Sequence, residues 1–515
     1  MSKTRQLIRA RTMSALRRLP LASAILLIGC CLMEKAQALE ASRPNFILCM
    51  GDDHGWEETG YNGHPYLQTP VLDEMAATGL RLDRFYSGHP SCSPTRGSVI
   101  TGRHPNRYGT FAPNWSLRPE EISIAQLLAD AGYRTAHFGK WHLGPVKKSS
   151  PTSPGAMGFS RWLSHDNFFE LNPSFSLDGG PPKVYEGESS EILVEQALNF
   201  IKQADGNDQP FFVVIWFGSP HEPYSGLEKD LKLYDELPQK YSDRKVRLTS
   251  NETGRSTQRP LGEVLRERYA EITAMDRAMG NLRDGLDDQG QRENTILWYC
   301  GDNGTPSSGL LESPLRGRKS QVYEGGVRVP GVIEWPAKIK ASRSSSHVAV
   351  TSDMLPTLCS AAGVPTPTRI LDGIDLLPMI RGEVEKRRQP VYFWSFNTKS
   401  LSADSKPWIP ADLQEGTTPL VKLMNGKPTR TFRNVQVDQI QDGSYKGPRA
   451  ITTQNYKLIL DQSGSRSIEL YDLSSELGEQ NNLAKAQPEK VKELQKLMRE
   501  WQTSVLASLQ GKDYP

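Results

Sequence analysis

The chain has 515 residues, enough to bury a large core and to form one large domain with a smaller one beside it. Its formal net charge is +3, and this becomes −3 without the first 38 residues, which hold seven basic residues and one acidic residue. A slightly acidic chain without a basic run does not favour nucleic-acid binding. The six cysteines are too scattered for a disulfide framework, and no C-x-x-C pair indicates a zinc site.

The first 38 residues are typical of an export signal. A basic stretch is followed by an apolar run at residues 21–33 and by the small-x-small cleavage pattern Ala-Gln-Ala at 36–38. Thirteen apolar residues are too few to span a bilayer as a helix, so we expect no transmembrane segment. An alternative is a lipoprotein box at 27–30, which would leave a lipidated Cys30. Both interpretations predict export, to the periplasm or the outside of the cell.

Beyond this leader, short apolar runs alternate with helical patterns. Fully buried strands are predicted at residues 45–50, 134–138, 211–217, 295–300 and 332–335. Residues 120–131 and 264–286 carry apolar side chains at helical spacing, and we assign both stripes to core packing. The alternation predicts an α/β domain with a large mixed, mainly parallel sheet sandwiched by helices.

The C-terminal part of the chain has a different character. Residues 449–460 and 467–473 predict antiparallel strands around a turn at 461–464, and residues 487–508 predict an amphipathic helix. We therefore expect a small α+β subdomain from about residue 385. Residues 396–448 have little periodicity and are predicted to form a long excursion near the substrate entrance.

The run Ser-Cys-Ser-Pro-Thr-Arg-Gly at residues 91–97 predicts a helix that begins just after Cys92. Ser93 is a good N-cap and Pro94 fits the first helical position. The cysteine would then lie beside exposed backbone N–H groups at the positive end of a helix dipole, where Arg96 adds a permanent cation. A thiol in this position would be an activated nucleophile, whereas a lone cysteine is more often a buried structural one.

Polar side chains follow four of the predicted strands. In open α/β sheets, ligands bind beyond the carboxyl ends of the strands. These positions hold Asp52, Asp53, Lys140, His142, His221, Asp302 and Asn303. The three carboxylates and the amide are hard oxygen ligands, suited to Ca²⁺ or Mg²⁺, although each pair alone is also typical of a turn. Two adjacent aspartates would repel each other unless a cation held them.

The basic side chains at these strand ends are candidates for anion binding. Lys140, His142 and His221 would act as cations or proton-transferring groups around a bound anion, and Lys319 could join them. For each residue alone a structural role is more common. For Lys319 the alternative is a solvated basic loop, because residues 316–319 carry three positive charges.

The pattern Cys-x-Pro-x-Arg-Gly at residues 92–97 resembles the signature of the type I sulfatases, arylsulfatase-like members of the alkaline phosphatase superfamily. Further segments resemble sulfatase motifs in the same order along the chain, at residues 44–53, 102–107, 132–144, 302–304, 324–330, 353–358 and 469–473. The resemblance spans residues 43–485 and implies an alkaline-phosphatase-like fold. It divides the chain into a signal peptide at 1–38, a catalytic domain at 39–384 and a C-terminal subdomain at 385–515. Residues 54–57 and Arg318 depart from the family pattern, which bears on substrate recognition more than on chemistry.

The resemblance also implies a mechanism for sulfate-ester hydrolysis. A formylglycine-generating enzyme would oxidise Cys92 to formylglycine, whose hydrated form has one hydroxyl that attacks sulfur and a second that later expels sulfate. One Ca²⁺ per chain would be held by Asp52, Asp53, Cys92, Asp302 and Asn303. Arg96, Lys140 and Lys319 would stabilise the sulfate oxygens. His142 would deprotonate the diol, and His221 with Lys319 would protonate the leaving oxygen.

Two other functions remain open from the sequence. The first is a phosphonate monoester or phosphodiester hydrolase of the same superfamily, which can share the cysteine signature. The second is a non-catalytic glycan-binding descendant, which the presence of all the candidate catalytic residues, from Cys92 to Lys319, disfavours. For an exported sulfatase we expect a sulfated polysaccharide or a sulfated small molecule as substrate.

Overall fold

The computed structural model of the protein describes residues 43–169, 171–203, 209–250, 253–309, 311, 313–424 and 427–514. The predicted signal peptide and Cys30 lie outside the described residues. In the described part of the chain, no helix combines the length and the apolar character needed to cross a bilayer.

The described strands and helices follow the predicted alternation. The strands are β1 (Asn45–Gly51), β2 (Leu80–Leu82), β3 (Phe85–Tyr86), β4 (Arg134–Lys140), β5 (Arg161–His165), β6 (Ser174–Leu177), β7 (Lys183–Val184), β8 (Phe211–Trp216), β9 (Lys245–Thr249), β10 (Ser256–Pro260), β11 (Thr295–Gly301), β12 (Gly331–Glu334), β13 (Arg343–Ser345), β14 (Ala349–Val350), β15 (Val391–Trp394), β16 (Glu415–Met424), β17 (Lys427–Thr431), β18 (Arg449–Thr452), β19 (Tyr456–Leu460) and β20 (Ile468–Asp472). The helices are α1 (Pro70–Thr78), α2 (Cys92–Thr101), α3 (Ile124–Asp130), α4 (Ser189–Lys202), α5 (Glu228–Leu231), α6 (Gln239–Ser242), α7 (Leu261–Asp288), α8 (Glu324–Val327), α9 (Met354–Ala362), α10 (Leu377–Ile380) and α11 (Pro488–Leu509).

Ten of the described strands form the central sheet, in the order β13-β2-β12-β11-β1-β8-β4-β5-β6-β7. The middle of the sheet is parallel, since β1 pairs in parallel with β11 and β8, and β4 pairs in parallel with β8 and β5. Strand β12 joins β11 antiparallel, as do the edge strands β6 and β7 with their neighbours. The predicted mainly parallel mixed sheet is confirmed.

Helices cover both faces of this sheet because its strands are apolar on both sides. Along β1, Phe46, Leu48 and Met50 pack into a core that includes side chains of α2, α3 and α9. The alternate residues Ile47 and Cys49 pack into a second core with side chains of α1, α4 and α7. Every residue of β8 is buried, as expected of a strand covered on both faces.

The C-terminal part forms a second, antiparallel sheet in the order β15-β18-β19-β20. Helix α11 packs on it through an apolar side that includes Leu494, Met498 and Trp501. The predicted small C-terminal sheet with its helix is therefore confirmed. The domain boundaries at 384 and 385 stay a prediction.

Local details differ from the sequence expectations. The single strand predicted at 449–460 is two strands, because a turn closes between Thr453 and Tyr456, whose backbone N and O atoms are 2.8 Å apart. Helix α3 begins only at Ile124, where Ser123 and Gln126 form a capping box. Residues 396–448 contain the β16–β17 hairpin, whose ladder has register shifts that hide its periodicity in the sequence.

Candidate active site

Four neighbouring strands bring the predicted polar residues together. Strands β11, β1, β8 and β4 are adjacent in that order, so their carboxyl ends meet at the middle of one sheet edge. The backbone N of Asp52 donates to the carbonyl of Ser219 at 2.9 Å, and the backbone N of Asp302 donates to the carbonyl of Gly51 at 3.1 Å. These bonds hold the residues that directly follow β1 and β11 against the neighbouring segments.

Cys92 lies against this edge at the start of α2. The prediction placed the cysteine just before the helix, but Cys92 is its first residue and Ser91 occupies the N-cap. The Cys92 side chain is buried, and its Sγ lies 3.8 Å from Oδ1 of Asp53. Gly97 in the same helix packs against Tyr108, since a Cβ there would collide with the tyrosine hydroxyl.

Burial sets the reactivity of the unmodified thiol. Removal from water raises the pKa of Cys92 well above its ordinary value, and the cations Lys140 and Lys319 offset this only in part. The unmodified thiol therefore stays protonated at neutral pH and is a poor nucleophile. The predicted activation by the helix N-terminus does not overcome burial.

The acidic residues form a cluster of oxygen atoms beside Cys92. One ligand atom each of Asp52, Asp53, Cys92 and His221 lie within 4.8 Å of one another. Asn303 joins them, since its Nδ2 donates to Oδ1 of Asp53 at 2.8 Å. Within the described residues, Oδ1 of Asp52 and Oδ1 of Asn303 are buried without a hydrogen-bond partner. Unsatisfied oxygens among carboxylates are the donor set that a hard divalent cation such as Ca²⁺ requires, so these residues could hold one.

The two adjacent aspartates differ in their protonation. Burial raises the pKa of Asp52 to about 7, helped by Asp302 and opposed by Lys140. Burial opposes ionisation of Asp53 as well, but Lys319 and His221 hold its pKa below the usual range. Two buried carboxylates this close repel each other, and a bound cation would keep both ionised.

Asp302 has a different environment from the other predicted ligands. Its Oδ2 accepts hydrogen bonds from Arg96 at 3.2 Å (Nε) and 2.9 Å (Nη2), and its Oδ1 accepts one at 2.9 Å from the backbone N of Asp53. Arg96 also donates to the carbonyl of Lys140 at 3.1 Å. Asp302 thus holds the guanidinium beside the cluster.

Lys140 and Lys319 complete the positive side of the site. Nζ of Lys140 lies 2.5 Å from Oδ2 of Asp52, and Nζ of Lys319 lies 2.5 Å from Oδ1 of Asp53. Burial disfavours the charged form of Lys319, but Asp53 outweighs it and the lysine pKa is raised well above its ordinary value. Both ammonium groups are close enough to Cys92 to lower its pKa, so they could bind the oxygens of an anion beside it.

The two predicted histidines have different neighbours, and only His221 belongs to the cluster. Nε2 of His221 lies 3.6 Å from Oδ2 of Asp53, and its ring stacks on Phe168 with centroids 4.6 Å apart. Nε2 of His142 lies 3.0 Å from Oδ1 of Asn114, while Nδ1 has no partner among the described residues. Burial lowers the pKa of both histidines well below 6.5, so both rings are neutral at pH 7.

The structure therefore brings all the sequence-predicted site residues to one edge of the sheet. It adds Asn114, Phe168 and Arg430, which the sequence did not indicate. Nη1 of Arg430 donates to Oδ1 of Asn114 at 3.1 Å, and its guanidinium lies 5.3 Å from the centroid of the Phe168 ring. None of the three lies in a recognisable motif or directly after a strand of the central sheet.

Known proteins resemble this chain over most of its length. The sulfatase family profile matches residues 44–364. Arylsulfatase A of Homo sapiens is 32% identical over 402 residues, which cover 70% of this chain and 73% of that protein. The N-acetylgalactosamine-6-sulfatase of Mus musculus is 30% identical over 395 residues, which cover 69% of each.

Solved structures share the fold at lower identity. BT4656, solved in complex with its substrate D-glucosamine-2-N,6-O-disulfate, has a TM-score of 0.68 and 22% identity, covering 90% of this chain and 98% of that chain. The phosphonate monoester hydrolase of Agrobacterium radiobacter has a TM-score of 0.59 and 19% identity, covering 88% and 96%. The predicted alkaline-phosphatase-like fold is confirmed. With the family profile matching more than half of the residues, the chain belongs to the sulfatase family and is a sulfuric ester hydrolase.

Proposed function

We propose that this enzyme removes sulfate from a sulfated carbohydrate, with a formylglycine made from Cys92 and one Ca²⁺ ion. The observation that carries the proposal is the position of Cys92, with its Sγ 3.8 Å from Asp53 and with Arg96, Lys140 and Lys319 around the same cluster. A carbohydrate substrate is favoured because the relatives include an N-acetylgalactosamine-6-sulfatase and a neighbour solved with a sulfated glucosamine.

Maturation of Cys92 fits its surroundings. The thiol is protonated by burial and offers little nucleophilicity of its own. Formylglycine, formed by a formylglycine-generating enzyme, supplies in its hydrated form a hydroxyl nucleophile. A second hydroxyl on the same carbon gives a route to expel sulfate that a serine would lack.

The metal would be held by Asp52, Asp53, Asn303 and residue 92. Ca²⁺ supplies positive charge to the sulfate oxygens and keeps the neighbouring aspartates ionised. Asp302 completes the predicted set and also orients Arg96, as its two hydrogen bonds indicate. We include it as a ligand through Oδ1, whose hydrogen bond comes from the Asp53 backbone.

The remaining residues stabilise charge and move protons. Arg96, Lys140 and Lys319 donate to the sulfate oxygens as negative charge moves toward the leaving group. His142, a neutral imidazole with a free Nδ1, accepts the proton released when sulfate is expelled. His221 and Lys319 deliver a proton to the leaving oxygen, and the bound anion favours protonation of His221.

We also infer that the enzyme is exported, because its first 38 residues resemble a leader. We further infer a catalytic domain at 39–384 and a C-terminal subdomain at 385–515.

A phosphonate monoester or phosphodiester hydrolase is the second candidate function, favoured by the shared fold of the Agrobacterium radiobacter hydrolase. Turnover of an aryl sulfate against that of an aryl phosphonate and an aryl phosphodiester separates the two.

The deciding experiment combines mass spectrometry with turnover on a panel of defined sulfated oligosaccharides. Enzyme from its native host should carry an aldehyde in place of the CH₂SH group of residue 92 and should release sulfate from at least one saccharide. Cys92→Ala should release none, and chelation should abolish the activity until Ca²⁺ is restored. An unmodified thiol together with no sulfate release would contradict the proposal and favour a glycan-binding protein.

A further inference from the structure

The hairpin β16–β17 brings one half-buried cation to the border of the active site. Arg430, near the end of β17, donates through Nη1 to Oδ1 of Asn114 at 3.1 Å. The same oxygen lies 3.0 Å from Nε2 of His142. Arg430 also faces the ring of Phe168, on which His221 stacks. Arg430 is thus one residue removed from each of the two histidines that border the site.

The position of this hairpin is fixed from both of its ends. At its start, Oδ2 of Asp166 accepts hydrogen bonds from the backbone N atoms of Thr417 at 2.5 Å and Thr418 at 2.7 Å. At its end, the backbone N of Arg433 donates to the carbonyl of Asn114 at 3.0 Å, and the backbone N of Ser116 donates to the carbonyl of Arg433 at 2.9 Å. Because Asp166 directly follows β5, these bonds fasten the hairpin to the edge of the sheet where the site lies.

Within the part of the chain that the structure describes, Arg430 has no anionic partner of its own. Among the described residues no carboxylate forms an ion pair with it, and its Nε is buried without a hydrogen bond. Asp166 is close enough to favour the charged form, but its oxygens already accept from backbone amides of the hairpin and of Val146. Burial lowers the pKa of Arg430 to about 10, which leaves the guanidinium charged at pH 7. A partly desolvated cation with an unpaired buried donor is costly unless a ligand offsets the loss of water.

We infer that Arg430 determines specificity by binding a second anionic group of the substrate, a sulfate or a carboxylate other than the sulfate that is cleaved. The inference rests on the proposed function of the site. Arg96, Lys140 and Lys319 lie against Asp52 and Asp53 beside Cys92, whereas Arg430 contacts Asn114 and Phe168 at the border of the site. Only Nη1 of Arg430 bonds to Asn114, and a guanidinium has further N–H donors with which it binds an oxyanion.

The test compares three saccharide probes with Arg430→Gln. The probes are a monosulfated hexosamine, the same sugar with a second sulfate, and a monosulfated disaccharide that carries a uronic acid. The wild-type enzyme should prefer one of the two probes with a second anion, and that probe identifies the group as sulfate or carboxylate. In Arg430→Gln the preference, measured as a ratio of kcat/KM values, should fall roughly 10- to 100-fold, mainly through KM.

Arg433→Gln is the matched control. Arg433 lies three residues further along the chain, is exposed and stacks on Trp115 at 4.0 Å, so the same substitution there should keep the wild-type ratio. Arg430→Lys keeps the charge and should restore part of the preference.

Three results would overturn the inference alone, each with a wild-type enzyme that releases sulfate. They are no wild-type preference for either second anion, an unchanged ratio in Arg430→Gln, and an equal loss of kcat on all probes. The last would assign Arg430 to holding Asn114 and His142. A wild-type enzyme that releases no sulfate from any ester would instead contradict the proposed function.

Discussion

Burial and ion pairing together decide which side chains around Cys92 carry charge. Desolvation raises the pKa of the Cys92 thiol and lowers the pKa of His142 and His221. Lys319 escapes the same effect because Asp53 lies 2.5 Å from its Nζ. Without substrate, the site thus presents fixed cations and neutral imidazoles. The cations suit a bound anion, and a neutral imidazole can accept a proton in the reaction.

The role proposed for His221 predicts a dependence on the leaving group. His221→Ala should lower kcat on a sulfate ester of an aliphatic sugar alcohol by about 10²- to 10⁴-fold, the usual contribution of a general acid. An aryl sulfate with a nitro group should lose much less, because its phenolate leaves without a proton. The measurement is kcat for both esters with the wild-type and variant enzymes. Equal losses on the two esters would remove His221 from leaving-group protonation.

The sequence was sufficient to predict the site residues at the ends of strands. It was not sufficient for the residues that reach the site through tertiary contacts. Asp52 and Asp302 follow strand ends and Lys140 ends β4, so a sheet prediction alone places them together. Asn114 and Arg430 meet across 316 positions of sequence, through bonds between a loop and a hairpin. No local pattern encodes such a contact, because the partners are set by tertiary packing.

At the scale of elements, the buried strands were predictable because each is a short apolar run between turn residues. Strand β4 is longer than its apolar run and continues to Lys140, because parallel pairing with β5 extends to His165. The turn between β18 and β19 was missed since Thr453 and its neighbours carry no glycine or proline. Pairing with neighbouring strands therefore determines the ends of these strands, which amino-acid composition alone does not predict.

Helix α1 is capped by a side chain from another helix. The backbone N of Val71 donates to Oδ2 of Asp276 in α7 at 3.0 Å, and that of Leu72 donates to Oδ1 at 2.8 Å. These bonds satisfy two N–H groups at the start of α1, where a carboxylate also suits the helix dipole. Burial nevertheless raises the pKa of Asp276 from about 3.8 to about 7.

This raised pKa predicts a pH dependence of stability. The folded protein binds the Asp276 proton more tightly than the unfolded chain does. The stability contributed by this proton is therefore complete below the ordinary pKa and is lost as the pH rises through about 7. The free energy of unfolding of wild type relative to Asp276→Asn should fall between pH 4 and 8 by roughly 1 to 4 kcal/mol.

Urea unfolding of both proteins across this pH range measures the effect. Asp288→Asn, an exposed substitution at the end of the same helix, should follow the wild-type profile. A pH-independent difference between wild type and Asp276→Asn would refute the raised pKa.

At the scale of the whole molecule, a buried ion cluster joins the C-terminal sheet to the catalytic part. Lys457 of β19 is fully buried, and its Nζ lies 2.8 Å from Oε1 of Glu324 in α8 and 3.0 Å from Oε1 of Glu479. Helix α8 directly precedes β12 of the central sheet and belongs to a segment that includes Lys319 of the site. The cluster therefore joins β19 of the C-terminal sheet to the segment that carries Lys319.

Lys457→Met tests this coupling. The substitution removes the cation that two buried carboxylates share, leaving Glu324 with Arg328 at 3.5 Å, and should lower the free energy of unfolding by about 3 to 5 kcal/mol. Lys492→Met breaks an exposed ion pair with Glu489 on α11 and should change stability by less than about 1 kcal/mol. Thermal unfolding of both variants at pH 8 gives the comparison, since both carboxylates need the cation most when ionised. Equal melting temperatures for the two variants would mean that Lys457 does not hold the two parts together.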